Sequence, residues 1–187
     1  MKLIEDIKRF RPCCEQEERD KAVMLALLDA YEDIFRRENL VAHMTASAWV
    51  VNPARDKVLM VYHRLYDSWA WTGGHADGET DLLAVALREC REETGVEHVR
   101  PISEDIYSLE ILTVDGHEKR GQYVPSHLHL NVTYLLEADE HDSLQICEAE
   151  NSGVRWFPLD DALTVPSEPW MIERVYRKLN TKIPRAT

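Results

Sequence analysis

The sequence predicts an α/β protein: an α/β/α sandwich with a mixed β-sheet between helices, and a helical extension at its N-terminus. Three observations lead there. Apolar residues recur at helical spacing before residue 40, between residues 81 and 94, and after residue 167. β-rich runs lie between these stretches without a strict βαβ rhythm. The chain has 187 residues, 44% of them hydrophobic, which suits a single domain able to bury a real core.

In chain order, residues 15–39 carry Val23, Ala26, Leu27, Ala30, Tyr31 and Ile34 at helical spacing behind the break at Pro12. This reads as one long amphipathic helix, a packing element or the contact of a homodimer. Residues 1–40 are taken as the helical extension and 41–187 as the main domain. Residues 45–51 and 57–62 read as strands around an Asn52-Pro53 turn, and 69–72 as a third strand ended by Gly73-Gly74. Residues 81–94 are helical, with Leu83, Ala86, Leu87 and Cys90 facing the core and Gly95 as the left-handed stop. Residues 106–114 and 128–136 form a hairpin whose polar connection, 115–126, is expected to be a long mobile loop and a candidate lid. An acidic connection, a strand at 154–157 and a helical turn at 160–163 follow. Ser167-Glu168-Pro169 starts a last helix with Ile172, Val175, Tyr176 and Leu179 on one face.

Lys and Arg total 22 against 34 Asp and Glu, a formal charge of −12. That balance disfavours long nucleic acids and anionic membrane surfaces as partners. It leaves room for small phosphorylated ligands if some carboxylates hold divalent cations. Cysteines 13, 14, 90 and 147 show neither a CxxC pair nor a zinc-ligand spacing and are expected to be reduced thiols. The acidic start of the chain and the lack of any long apolar run point to a cytoplasmic, unexported protein.

The most informative stretch runs from Gly73-Gly74-His75-Ala76-Asp77-Gly78-Glu79 into Arg88-Glu89-Cys90-Arg91-Glu92-Glu93-Thr94-Gly95-Val96. Glu89, Glu92 and Glu93 stand at i, i+3 and i+4, so three carboxylates share one side of a helix and repel one another. A hard divalent cation relieves such crowding, and bare backbone at Gly73-Gly74 can approach a ligand closely.

From Gly74 to Val96 the chain resembles the signature box of the Nudix, or MutT-like, hydrolases, G-x5-E-x7-R-E-U-x-E-E-x-G-U with U a bulky aliphatic residue. Arg88, Glu89, Glu92, Glu93, Gly95 and Val96 fall at matching positions. Two positions depart: Thr80 takes the first glutamate site, with Glu79 one residue early, and Cys90 replaces the first aliphatic residue. The resemblance extends over about residues 42–163, through His63-Arg64, Trp71 and Trp156-Phe157-Pro158-Leu159-Asp160-Asp161.

The resemblance implies the Nudix α/β/α sandwich and a Mg²⁺- or Mn²⁺-dependent cleavage of a pyrophosphate bond in a nucleoside diphosphate linked to another moiety. It implies Glu89, Glu92 and Glu93 as metal ligands, with the Gly74 carbonyl as a further oxygen. Arg88 would orient a box glutamate, Glu92 being one turn away. Glu89 is the first choice of general base, with Glu148 or Glu150 on a later loop as the alternative. Arg64, Trp71, Gly73, Gly74 and His129 are candidate substrate contacts, with Arg120 and Trp69 as further possibilities. His127, His129, Asn131 and Thr133 alternate onto one strand face, either lining the cleft or facing solvent. Without thiol or further histidine partners at ligand spacing they carry no zinc signature. Two alternatives share the resemblance. One is an isopentenyl-diphosphate isomerase, whose catalytic cysteine would occupy the place of Gly73, and the other is a noncatalytic nucleotide-sensing domain.

Overall fold

The computed structural model describes residues 2–119 and 121–186, with Lys119 described for its backbone alone. The elements are α1 (Lys2–Arg9), α2 (Glu15–Ala30), β1 (Ala42–Val51), β2 (Lys57–His63), β3 (Ser68–Ala70), β4 (Thr72–His75), α3 (Leu82–Thr94), β5 (Val99–Pro101), β6 (Ser108–Val114), β7 (His117–Lys119), β8 (Gln122–Val124), β9 (His127–Ala138) and β10 (Asn151–Pro158). A 3₁₀ turn (Asp161–Leu163) leads to the last helix, in which α4 (Pro169–Met171) passes through a π segment (Ile172–Tyr176) into α5 (Arg177–Thr181). The main sheet runs β10-β2-β1-β9-β5, with β3 on β2, β4 on β1 and β6 on β9. β1 and β9 pair parallel and the other pairs antiparallel, so the sheet is mixed as the sequence predicts.

β1 lies at the middle of the sheet and all ten of its residues are buried. Its even-numbered side chains, Ala42 to Val50, enter a core shared with α3 (Leu82, Val85, Ala86, Cys90) and with Leu3, Ile7, Met24 and Leu28 of α1 and α2. On the other face Trp49 and Val51 meet Val175, Tyr176 and Leu179 of the last helix, with Trp49 stacked on Tyr176 at 5.3 Å. Helices therefore cover both faces. On α3, Leu83 and Leu87 are only half-buried, and Leu82 and Val85 take the inner places the sequence reading gave them.

Several expectations are corrected. The long helix ends at Ala30, where the Tyr31 N–H still reaches Leu27 O but Tyr31 itself is extended. Residues 31–40 then turn back, and Ile34 O accepts from Met44 N while Phe35 O accepts from Gly78 N. The buried face of α2 is Glu17, Met24 and Leu28, and Val23, Ala26 and Ala30 point outward. Met24 and Leu28 are thus engaged within the chain, while Val23 is exposed. Gly73-Gly74 do not end a strand; they lie inside β4, and the break falls at Trp71. The connection expected as a mobile loop carries a two-stranded ribbon of β7 and β8. Arg120 lies outside the described residues. β5 is a short strand the sequence reading does not contain.

The two ends of the chain are joined through buried charge. Glu17 accepts from Ser108 at 2.8 Å and the Cys13 N–H at 2.8 Å, and lies 3.3 Å from Lys178 and 3.2 Å from Lys182. Lys178 also reaches Glu110 at 3.0 Å, whose carboxylate accepts from Thr133 and Asn131. Burial by itself would raise the Glu17 carboxyl, but the Cys13 N–H and the two ammonium groups outweigh it and hold it below its usual value. This stabilisation is present above the ordinary carboxylate range and is lost as pH falls through the lowered pKa.

Glu17→Ala, which leaves two ammonium groups, Lys178 and Lys182, to the single buried carboxylate of Glu110, is expected to cost about 3–5 kcal/mol in urea unfolding at neutral pH. Arg19→Ala, which removes an exposed pair with Glu15, is expected to change stability by less than about 0.5 kcal/mol. Equal effects would show that the buried network is not what clasps the ends.

Candidate active site

α3 begins where the sequence reading places it. The Asp81 side chain accepts from the Ala84 N–H, and Gly95, at φ 75°, closes the last turn by donating to Arg91 O. The displaced acid of the box has a local task. Glu79 Oε1 accepts from the Thr80 and Asp81 N–H groups at 2.7 and 2.9 Å, shaping the entry to the helix. Asp77 and Gly78 turn the preceding loop at φ 49° and 93°, and Arg37 grips Asp77 through two hydrogen bonds.

β1 pairs with β4 so that Ser47 faces Gly73 and Ala46 faces Gly74. α3 packs against this pair, and its carboxylates meet the two glycines. Glu93 is buried and accepts from the Gly73 N–H at 3.0 Å. The Glu89 carboxylate lies against Gly74, where an added Cβ would stand 2.4 Å from it. Arg88 donates to Glu89 Oε1 at 2.8 Å, so its partner is the adjacent glutamate and not Glu92 one turn away. Glu92 is exposed at the rim of the group.

Burial, opposed by the Gly73 hydrogen bond and reinforced by Glu150, Glu89 and Glu92, pushes the Glu93 carboxyl up to about 9. Burial, with Glu92 and Glu150 adding to it against the pull of Arg88, also raises Glu89. Glu150 therefore belongs to the electrostatics of the site. Asn151 holds it there, donating to the Glu93 carbonyl at 2.8 Å, while Arg64 Nε and N donate to Asn151 O and Glu150 O. Glu148 is exposed, two residues earlier in the same turn. A group of carboxylates under mutual repulsion, beside backbone with no Cβ, is an oxygen donor set that fits a hard divalent cation.

Other candidates are placed differently. Trp71 is buried and packs edge-on to Tyr176 at 5.8 Å, and Trp69 packs on Phe157 at 4.7 Å, so both rings serve the second core instead of an open cleft. Gly73 leaves no room for a side chain: a Cβ would stand 2.5 Å from Ser47 Oγ and 2.6 Å from Ala46 O. This removes the geometric basis of an isomerase with its cysteine there. Cys90 is buried, with its thiol pushed by burial up to about 12. Asn131 and Thr133 face neither solvent nor an open cleft; they are buried and bonded to Thr45, Ser47 and Glu110. His129 lies among His43, His75 and His127, and burial with these neighbours pushes it down to about 2. No linear spacing connects His43 and His75 to His129, so only the sheet register brings them together.

A model of the NUDIX domain matches residues 41–179. The chain is 32% identical over 96 residues to the asymmetrical bis(5'-nucleosyl)-tetraphosphatase of Rattus norvegicus, a match covering 50% of this chain and 58% of that enzyme. It is 24% identical over 114 residues to the Nudix hydrolase YvcI of Bacillus subtilis, covering 61% of this chain and 66% of that one. It thus spans less than two thirds of either relative. Similarity to the "Probable DHNTP pyrophosphohydrolase" of Lactococcus lactis is 25% over 178 residues, 95% of this chain and 97% of that one. A NUDIX hydrolase structure from Nitrosomonas europaea superposes with a TM-score of 0.55 at 17% identity, covering 74% of this chain and 88% of that one, and shares the fold.

The two glycines should respond differently to alanine. Gly73→Ala drives a methyl into backbone and Ser47, and is expected to cost about 1–3 kcal/mol in thermal unfolding. Gly74→Ala meets first the movable end of Glu89, and is expected to cost less than about 1 kcal/mol while displacing that carboxylate. A reversed order would show that Glu89 is not seated on Gly74.

Proposed function

The chain belongs to the Nudix family, and on that premise we propose that it is a Mg²⁺- or Mn²⁺-dependent hydrolase that cleaves the pyrophosphate bond of a nucleoside diphosphate linked to another moiety. The observation that carries this reading is the seating of the Glu89 and Glu93 carboxylates on the Gly74 and Gly73 backbone, with Glu92 and Glu150 beside them. Glu89, Glu92 and Glu93 would hold the cation, with the Gly74 carbonyl as an additional oxygen. Such a cation, when bound, offsets the charge of the diphosphate and lowers the pKa of a bound water.

Each side chain then has a defined task. Glu89, a carboxylate seated against Gly74, takes the proton of the attacking water. Arg88 is a positioning residue, fixing one Glu89 oxygen by its 2.8 Å hydrogen bond. Glu150 is the loop alternative for the base, and exposed Arg64 beside it is placed to meet a phosphate. The two named activities among the relatives, a tetraphosphatase and a pyrophosphohydrolase, fit the same class of bond.

The test is product release from a panel of nucleotide-linked diphosphates and dinucleoside polyphosphates, with Mg²⁺ or with EDTA. Glu89→Gln is expected to lower kcat by about 100-fold or more while the circular dichroism spectrum stays that of the parent. Chelation is expected to abolish turnover and Mn²⁺ to restore it. Cleavage at the parent rate in EDTA would sink the metal reading. Tight binding of a panel member without cleavage would favour the nucleotide-sensing alternative.

A further inference from the structure

A second group of ligating side chains lies outside the carboxylate cluster, on the other side of Gly74. His43 on β1, His75 at the end of β4 and His129 on β9 come from three neighbouring strands. His43 stands directly beside His129 in the parallel register, and His75 pairs with Thr45, two residues further along β1 and on the same face. One nitrogen from each ring lies within 4.8 Å of the others. The ring centroids form a nearly equilateral triangle with sides of 5.1, 4.9 and 4.8 Å. Three imidazoles bound to one zinc ion through bonds of about 2.0–2.1 Å at tetrahedral angles have centroids about 5 Å apart. The ring centres stand at that spacing, and the ligating nitrogens, now within 4.8 Å of one another, would close to about 3.3 Å on a tetrahedral ion.

Two details of the histidines point to a ligand. His43 is buried, and its Nδ1 lies 3.0 Å from Asn39 O, which requires the proton there. Its Nε2 is then a bare lone pair, and that atom is buried with no hydrogen-bond partner. A ligating histidine has this arrangement, one ring nitrogen anchored on a backbone carbonyl and the other bound to metal. His127 is anchored in the same way, with Nδ1 2.8 Å from Pro125 O, but its Nε2 has a partner, a 3.3 Å hydrogen bond shared with His129 Nε2. Two nitrogens on a tetrahedral zinc ion are separated by about 3.3 Å as well.

We propose that His43, His75 and His129 form a zinc-binding site, with His127 or a water in the fourth position, distinct in donor chemistry from the carboxylate site. Neutral imidazoles select a borderline cation such as Zn²⁺ over Mg²⁺, which favours oxygen. His75 and His129 are partly exposed where His43 is buried, so an ion can enter from solvent on their side. Once bound, it would tie β4 to β1 and β9 next to Gly73-Gly74. The proposal does not depend on the carboxylate cluster being catalytic.

The test uses the full-length protein, stripped by chelator, dialysed, and titrated calorimetrically with Zn²⁺ in excess Mg²⁺, with Co²⁺ absorption as the report of tetrahedral nitrogen coordination. One equivalent of Zn²⁺ is expected, together with a raised thermal midpoint. His75→Gln and His129→Gln are each expected to weaken binding by about 100-fold or more. His75 is the last residue of β4 whereas His129 lies inside β9, so the His75 variant keeps the test valid if the other misfolds. Glu92→Gln is expected to leave zinc affinity unchanged. Parent-like affinity in a folded His75→Gln, loss of binding in Glu92→Gln, or no saturable equivalent in the parent would each overturn the proposal.

Discussion

The parallel pairing of β1 with β9 is the constraint on which the rest of the structure depends. Ten residues of each strand face one another, from Ala42 beside Leu128 to Val51 beside Glu137. Both strands lie inside the sheet, so β1 has to bury both faces, and its apolar residues run nearly continuously at one end as a doubly covered strand requires. At the other end the odd-numbered side chains are His43, Thr45 and Ser47. The register places them beside His129, Asn131 and Thr133, and a shift of one residue would send every one of these polar groups into the α3 core.

The second dependence is close approach. β4 carries glycine at two consecutive positions, and each permits a different approach. One glycine makes room for the Ser47 side chain and its strand, the other for the Glu89 carboxylate. Burial is what makes the glutamates chemically useful. An exposed trio of this spacing would be a solvated acidic face, whereas Glu93 and Glu89 are held where charge is costly and a cation is welcome. The terminal elements support this centre from outside. The Glu17, Lys178 and Glu110 network fastens α2 and the last helix to β6, and through Asn131 reaches the β1 and β9 pair.

Much of this was legible in the chain itself. The start of α3 at Asp81, its stop at Gly95, the carboxylate spacing, the mixed sheet and the apolar face of the last helix all follow from local chemistry or short-range periodicity. The failures share a cause. Periodicity on α2 indicated a face containing Val23 and Ala26, but Glu17 is drawn inward by two lysines more than 160 residues away, and the buried side rotates to suit it. Periodicity carries the helix to residue 39, yet residues 31–40 are taken by hydrogen bonds to β1 and to the turn at Gly78. Trp71, a plausible stacking ring from its place before Gly-Gly-His, faces Tyr176 from the far end of the chain.

The class of fold, the family resemblance and the three glutamates can be read along the chain, because helix periodicity, caps and motif spacing act over a few residues. Packing in three dimensions settles which acid of the later loop joins the glutamates, which contact of Arg88 holds Glu89, and that four histidines share one patch. Those outcomes depend on strand register and helix docking, which bring residues tens of positions apart within a few ångströms and leave no spacing in the chain to read.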